Sequence, residues 1–158
     1  MSRARIRLNG SVAIALVSLF LSVQAFAVGK PASVAVIIDR SDQQAQHTVD
    51  KLYEQTWAML DGEFDVRFST PRMEQVDQLY QDNDVDVIVA LGNAGIDAVA
   101  GRSRYEKPTI VIAAQTPITA SDNNLVILHS KQASDGTKIK EDEIKQLVIA
   151  VRDRLRAR

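Results

Sequence analysis

The chain has 158 residues, with 19 basic against 20 acidic side chains, 46% hydrophobic residues and no cysteine. The lack of cysteine excludes a disulfide scaffold, a thiolate nucleophile, an iron–sulfur cluster and a thiolate zinc site. Three of the basic residues are Arg3, Arg5 and Arg7, so the rest of the chain carries a net charge of −4. That balance opposes nucleic-acid binding, which needs concentrated positive charge to displace counterions.

The three arginines are followed by an apolar core, Ser11 to Val23, and by the small-x-small pattern Ala25-Phe26-Ala27 before Val28. Together these parts predict a secretory signal peptide over residues 1–27. The apolar core is shorter than the roughly 20 residues of a spanning helix, which argues against an uncleaved anchor. No cysteine follows it to carry a lipid. About 131 residues then remain, enough for a single domain over 28–158 with its own core. No further apolar run approaches membrane length, so the expectation is a soluble protein in a bacterial periplasm.

Ser33 to Ile38 (SVAVII) is continuous and β-branched, as expected of a strand buried on both faces. Asp39 to Asp42 is a polar turn in which Ser41 or Asp42 can cap a helix over Gln43 to Leu60. Ala45, Val49, Leu52, Thr56 and Met59 make its apolar stripe, widened by Tyr53, Trp57 and Leu60, and Gly62 suits a left-handed stop. Glu63 to Phe68 alternates apolar and charged residues, the pattern of an edge strand with one wet face. Ser69-Thr70-Pro71 opens a shorter helix, Arg72 to Gln81.

Val85 to Leu91 is predicted as the central strand, running into Gly92-Asn93-Ala94-Gly95 and a helical segment from Ile96 to Gly101. Lys107-Pro108 introduces a strand over Thr109 to Ala114, which ends in Gln115-Thr116-Pro117. A short strand, Leu125 to Leu128, and a polar loop, Ser130 to Lys138, precede a last helix over Lys140 to Arg156. That helix places Ile144, Leu147, Val148, Val151 and Leu155 on one face, acids in its first turn and arginines at its end. Strands alternating with helices at this spacing predict a three-layer α/β/α sandwich around a mainly parallel sheet of four or five strands.

No nucleotide, hydrolase or metal signature survives inspection. There is no G-x-x-x-x-G-K-[ST] and no G-x-S-x-G. Gly92-x-x-Gly95 is half a dinucleotide fingerprint, on the third strand and without the G-x-G start. Asp82-x-Asp84-x-Asp86 imitates the start of a calcium loop, but Val87 stands where glycine is needed and Asn93 where the closing glutamate belongs. His47 and His129 are isolated from each other. Asp39 invites comparison with a phospho-acceptor, but a receiver domain carries that aspartate on its third strand, which here ends in Leu91-Gly92. With no nucleophile–base pair or metal set, no catalysis and no cofactor are expected.

The polar loops at the strand C-termini remain: Asp39 to Asp42, Ser69-Thr70, Gly92 to Gly95 and Gln115-Thr116. In a parallel sheet all four emerge on one edge, where open α/β sheets hold ligands. The candidate ligand-binding residues are therefore Asp39, Ser41, Ser69, Thr70, Gly92, Asn93, Ala94, Gly95, Gln115 and Thr116. The plain alternative is that these residues only cap helices and close turns, and for Asp39 and Asp42 individually that alternative is favoured.

The stretch VDVIVALGNAGIDAVAGRSRYEKPTIVIAAQTP resembles the strand–glycine–helix–proline–strand signature of ABC-transporter substrate-binding proteins with the type I periplasmic-binding-protein fold. In that family the loop after the last of these strands often has an aspartate before a proline, where this chain has Gln115-Thr116-Pro117. LDGEFDVRFSTP is similar to related exported domains, some fused to outer-membrane efflux components. The likeness covers roughly Val34 to Pro117. It implies a single exported solute-binding lobe of periplasmic-binding-protein-like or flavodoxin-like type, taking a small-molecule solute at the C-terminal edge of the sheet. An ABC permease or efflux component would be its partner. Such proteins have two lobes, and one lobe encloses little of a small ligand, so a homodimer or a second chain would complete the cleft. The alternative function is a periplasmic protein-interaction module that keeps the fold without a ligand and docks through its acidic surface or its last helix.

Overall fold

The computed structural model describes residues 30–113, 118, 122–130 and 139–157, and Pro31–Arg158 forms one compact unit. The elements are β1 (Ala32–Ile37), α1 (Gln43–Leu60), β2 (Val66–Ser69), a 3-10 turn (Met73–Gln75) continuing into α2 (Val76–Gln81), β3 (Val87–Ala90), α3 (Gly92–Ala100), β4 (Thr109–Ala113), β5 (Leu125–His129) and α4 (Glu141–Arg156). All strand pairs are parallel and the sheet runs β2-β1-β3-β4-β5. This is the doubly wound, flavodoxin-like order, and the expected α/β/α class is what the chain adopts.

The period of two along each strand sorts side chains into two cores. Val34, Val36, Val87, Val89, Ile110 and Ile112 face α1 and α4, meeting Leu52, Leu147 and Val151. Ala35, Ile37, Ile88, Ala90 and Val111 face α2 and α3, meeting Leu79, Tyr80, Ile96 and Val99. β1 and β3 are buried on both sides because they lie inside the sheet. β2 is an edge strand, and its Val66 and Phe68 are half-buried while Arg67 and Ser69 are exposed. The alternation read from the sequence has that physical origin.

Three helix expectations change. Ser69-Thr70-Pro71 leads into a 3-10 turn before α2 rather than one helix from Arg72. Gly92-Asn93-Ala94-Gly95 is not a loop ahead of a helix but the first turn of α3 itself. In α1 the buried stripe is Ala45, Thr48, Val49, Leu52, Thr56 and Leu60. Trp57, at 66% exposure, and Met59, at 37%, lie outside it. α1 lies over β1 and the edge strand β2, and among the described residues no strand lies beyond β2 to receive the indole.

α4 buries the whole predicted face: Ile144, Leu147, Val148, Val151 and Leu155. Glu143 reaches back to the Lys140 N–H at 2.9 Å, and its acidic first turn and arginine-rich end suit the helix dipole. Because this face is spent on the core, it is not available to dock a partner. Among the described residues no helix is long and apolar enough to cross a membrane.

Candidate functional site

The chain leaves β1 toward β2 on one side, then returns past β1 to place β3 on the other. The loops after β1 and β3 therefore part to opposite faces, and a crevice opens between them at the C-terminal edge. Ile37 pairs with Ala90, so Asp39 and Gly92 stand level, each two residues past the last pair. Ala35 pairs with Ser69, which brings Thr70 to the same rim. Of the candidate residues, the fold thus gathers Asp39, Ser41, Ser69, Thr70 and Gly92 to Gly95 at one edge. Gln115 and Thr116 lie outside the described residues.

Each loop has a local reason for its shape. The Asp39 carboxylate accepts from the Ser41 backbone N–H at 2.8 Å and from the Ser41 hydroxyl at 2.7 Å. These bonds, the hydroxyl's first, hold its pKa below the ordinary value. Asp42 caps α1, accepting from the N–H groups of Gln44 and Ala45 at 2.9 and 3.1 Å. The Arg40 guanidinium donates to the Thr70 carbonyl, tying the ends of β1 and β2 together. Ser69 and Thr70 contribute one exposed and one half-buried position beside it.

α3 starts at Gly92, whose φ of +70° turns the strand abruptly into the helix. Leu91 precedes it and supplies no side-chain cap. The first N–H groups of α3 therefore face the crevice without an intrahelical or capping partner. Asn93 and Ala94 are exposed there, whereas Gly95 is buried. A Cβ on Gly95 would stand 2.5 Å from the Ile37 carbonyl oxygen, so that glycine is required by the seating of α3 on β1. The exposed rim is Asp39, Arg40, Ser41, Ser69, Asn93 and Ala94, with Thr70 partly covered and Gly92 and Gly95 buried.

The other motifs become structural. Asp82 accepts the Asp84 N–H at 2.8 Å and Asp86 the Ser33 N–H at 2.7 Å, so the calcium-like triplet closes a turn and pins the start of β1. His47 and His129 are both exposed. Among the described residues no group of three or more His, Asp or Glu side chains could hold a metal ion.

One feature escaped the sequence reading. A cleft of about 300 Å³ lies at the opposite end of the sheet, between the end of α1, residues 61–65 and β2. Trp57 and Thr56 form part of its lining. The available signal was an indole one position outside the α1 stripe, facing an edge strand.

No protein-family model matches the sequence, and no curated protein matches it. Among solved structures, the chain is similar to a response regulator receiver domain protein from Bacillus halodurans, with 14% identity and a TM-score of 0.44, over 75% of this chain and 95% of that one. At that level the likeness adds nothing to what the strand order establishes, and the fold assignment rests on the strand order.

Proposed function

We propose that this chain is an exported, non-catalytic solute-binding lobe that takes a small polar solute at the β1/β3 crevice and serves an ABC-type or efflux transporter. One observation supports it above the others. The sheet order opens its crevice between the Asp39–Ser41 turn and the uncapped start of α3, which is where open α/β sheets accept ligands. The two sides carry complementary chemistry. Asp39 offers an ionised carboxylate to a donor or cation, and the α3 N–H groups offer donors to an anionic oxygen. The signal-peptide pattern of residues 1–27 supports export, and the resemblance over Val34 to Pro117 supports the transport setting. A second copy or another chain encloses the solute in this reading, since one open rim leaves most of a small ligand in water.

The test is a thermal-shift screen of free amino acids, sugars and small carboxylates on the chain lacking residues 1–27. A binder present at a hundred times its Kd adds about 2.7 kcal/mol, a shift of several degrees. The exposed substitution Ala94→Arg should abolish that shift while leaving the unliganded melting temperature unchanged. A screen without stabilisation, or stabilisation equal in Ala94→Arg, would remove the crevice as the site.

A further inference from the structure

Among the described residues no strand pairs with the outer side of β2. On its inner side the Asp65 carbonyl accepts the Ala32 N–H at 2.7 Å, and the register with β1 stays regular through Ser69. Successive residues of a strand turn their N–H and C=O groups to opposite sides, so Asp65, Arg67 and Ser69 serve β1. Val66 and Phe68 turn theirs to the free edge. An edge of this kind is a template for another strand. β2 carries neither a proline nor a bulge to blunt it.

The side chains divide the same segment by face. Asp65 and Arg67 are exposed on one face and form no ion pair among the described residues. Phe64, Val66 and Phe68 lie on the other, half-buried at the margin of the core under α1 and α4. Trp57 stands beside these three and is two-thirds exposed. Read outward from Val66, Phe64-Asp65-Val66-Arg67-Phe68 is symmetric in shape and opposite in charge.

We propose that β2 pairs antiparallel with β2 of a second copy of this chain, about a two-fold axis through Val66. In that register Asp65 lies opposite the partner's Arg67, and Arg67 opposite the partner's Asp65. These are non-hydrogen-bonded pairs, in which side chains approach most closely. Val66 exchanges its N–H and C=O with the partner's Val66, and Phe64 faces the partner's Phe68. The Phe64 N–H is already committed to the Leu60 carbonyl at 3.1 Å, so the ladder closes there. The two indoles flank the apolar row. Moving the axis by one residue sets Arg67 against the partner's Arg67, or Asp65 against the partner's Asp65. Like charges directly opposite are destabilising, so one register satisfies backbone and charge together. This self-match identifies the occupant of the edge as a second copy. Antiparallel pairing sends the C-terminal sheet edges of the two copies to opposite ends. The dimer therefore does not enclose the β1/β3 crevice, and it stands or falls separately from the solute reading.

The test is sedimentation equilibrium on the chain from Val28, which contains the whole compact unit. It should show a monomer–dimer equilibrium. Trp57 is the chain's one tryptophan, and its emission should move to shorter wavelength as the dimer forms. Asp65→Arg and Arg67→Asp each turn two attractive pairs into two repulsive ones and should weaken the dimer about 10- to 100-fold. Mixed together, these two variants regain both attractive pairs and should form a heterodimer. The doubly reversed chain, Asp65→Arg with Arg67→Asp, should dimerise as wild type does. Both positions are exposed, so the dilute variants should melt with the wild-type monomer. A dimer Kd weaker than about 1 mM would overturn the proposal. So would a dimer that neither single reversal weakens, or single variants that fail to associate when mixed.

Discussion

Placing alanine at Gly95 tests how α3 is seated. The new Cβ would stand 2.5 Å from the Ile37 carbonyl oxygen, 3.3 Å from its carbon and 3.7 Å from the Ala90 carbon, all backbone atoms. An ordinary carbon–oxygen contact is about 3.3–3.6 Å, so α3 would have to withdraw by roughly 1 Å. The Ile37 oxygen cannot yield freely, because it accepts the Leu91 N–H at 3.0 Å. Overpacking of this kind costs about 1–3 kcal/mol, and here the upper part of that range applies because no flexible side chain can absorb the clash. Alanine recovers about 1 kcal/mol of helix propensity over glycine. The expected net loss is about 1–2 kcal/mol, a fall of roughly 3–8 °C in Tm. Gly101, at the other end of the same helix, is the matched control. Its φ is −76° and a Cβ there meets nothing within 4 Å, so Gly101→Ala should gain about 0.4–1 kcal/mol. Urea and thermal unfolding followed by circular dichroism read both variants. A Gly95→Ala protein as stable as wild type, or a Gly101→Ala protein that falls with it, would refute the close seating of α3 on β1.

Three further outcomes follow from single contacts. Thr56→Val should raise the stability of the ligand-free protein by about 1 kcal/mol, because it removes an unpaired buried hydroxyl; a lower Tm would mean that Oγ1 has a partner. Tyr80 bonds Thr109 at 3.0 Å in the core and lies under the Arg102 guanidinium, 3.7 Å from its ring centroid. Burial pushes its phenol from 10.0 up to about 12. The folded state therefore keeps a proton that the unfolded state releases, and stability should be full below pH 10 and fall by about 1.4 kcal/mol per pH unit between about 10 and 12. Tyr80→Phe should abolish that contribution and lose about 1 kcal/mol at neutral pH; an unchanged alkaline limb would refute the assignment. Glu63 is held below its ordinary 4.5, first by its hydrogen bond from Arg156. Its contribution is present above pH 4.5 and lost as pH falls through the lowered value, and Arg156→Ala should return the carboxyl titration, read by NMR, toward 4.5.

Much of the fold was legible because burial on two faces leaves a mark on sequence. SVAVII and VDVIVAL could be read as interior strands, since only strands covered on both sides dispense with alternation. The boundaries of α1, Gln43 to Leu60, are written in the sequence as they are observed, since Asp42 and Gly62 mark its ends by capping chemistry and a φ of +81°. The crevice was legible to the level of loops, because a parallel sheet sends every strand end to one edge. The role of Gly95 was not, since the same glycine pattern suits a ligand or a close backbone neighbour, and only the position of Ile37 distinguishes them. The destiny of Trp57 was also hidden. An indole beside an apolar stripe reads as core until one knows that the helix lies over an edge strand.

Local periodicity and hydrophobic burial are enough to set the alternation of strands and helices, the two-sided burial of β1 and β3, and the apolar face of α4. Tertiary structure alone decided that β1 and β3 are neighbours, that Gly95 must lack a side chain, and that a cleft opens beside Thr56 and Trp57. Those depend on strand order and on how far the sheet extends beneath a helix, which are contacts between residues distant in the chain and leave no periodic trace along it.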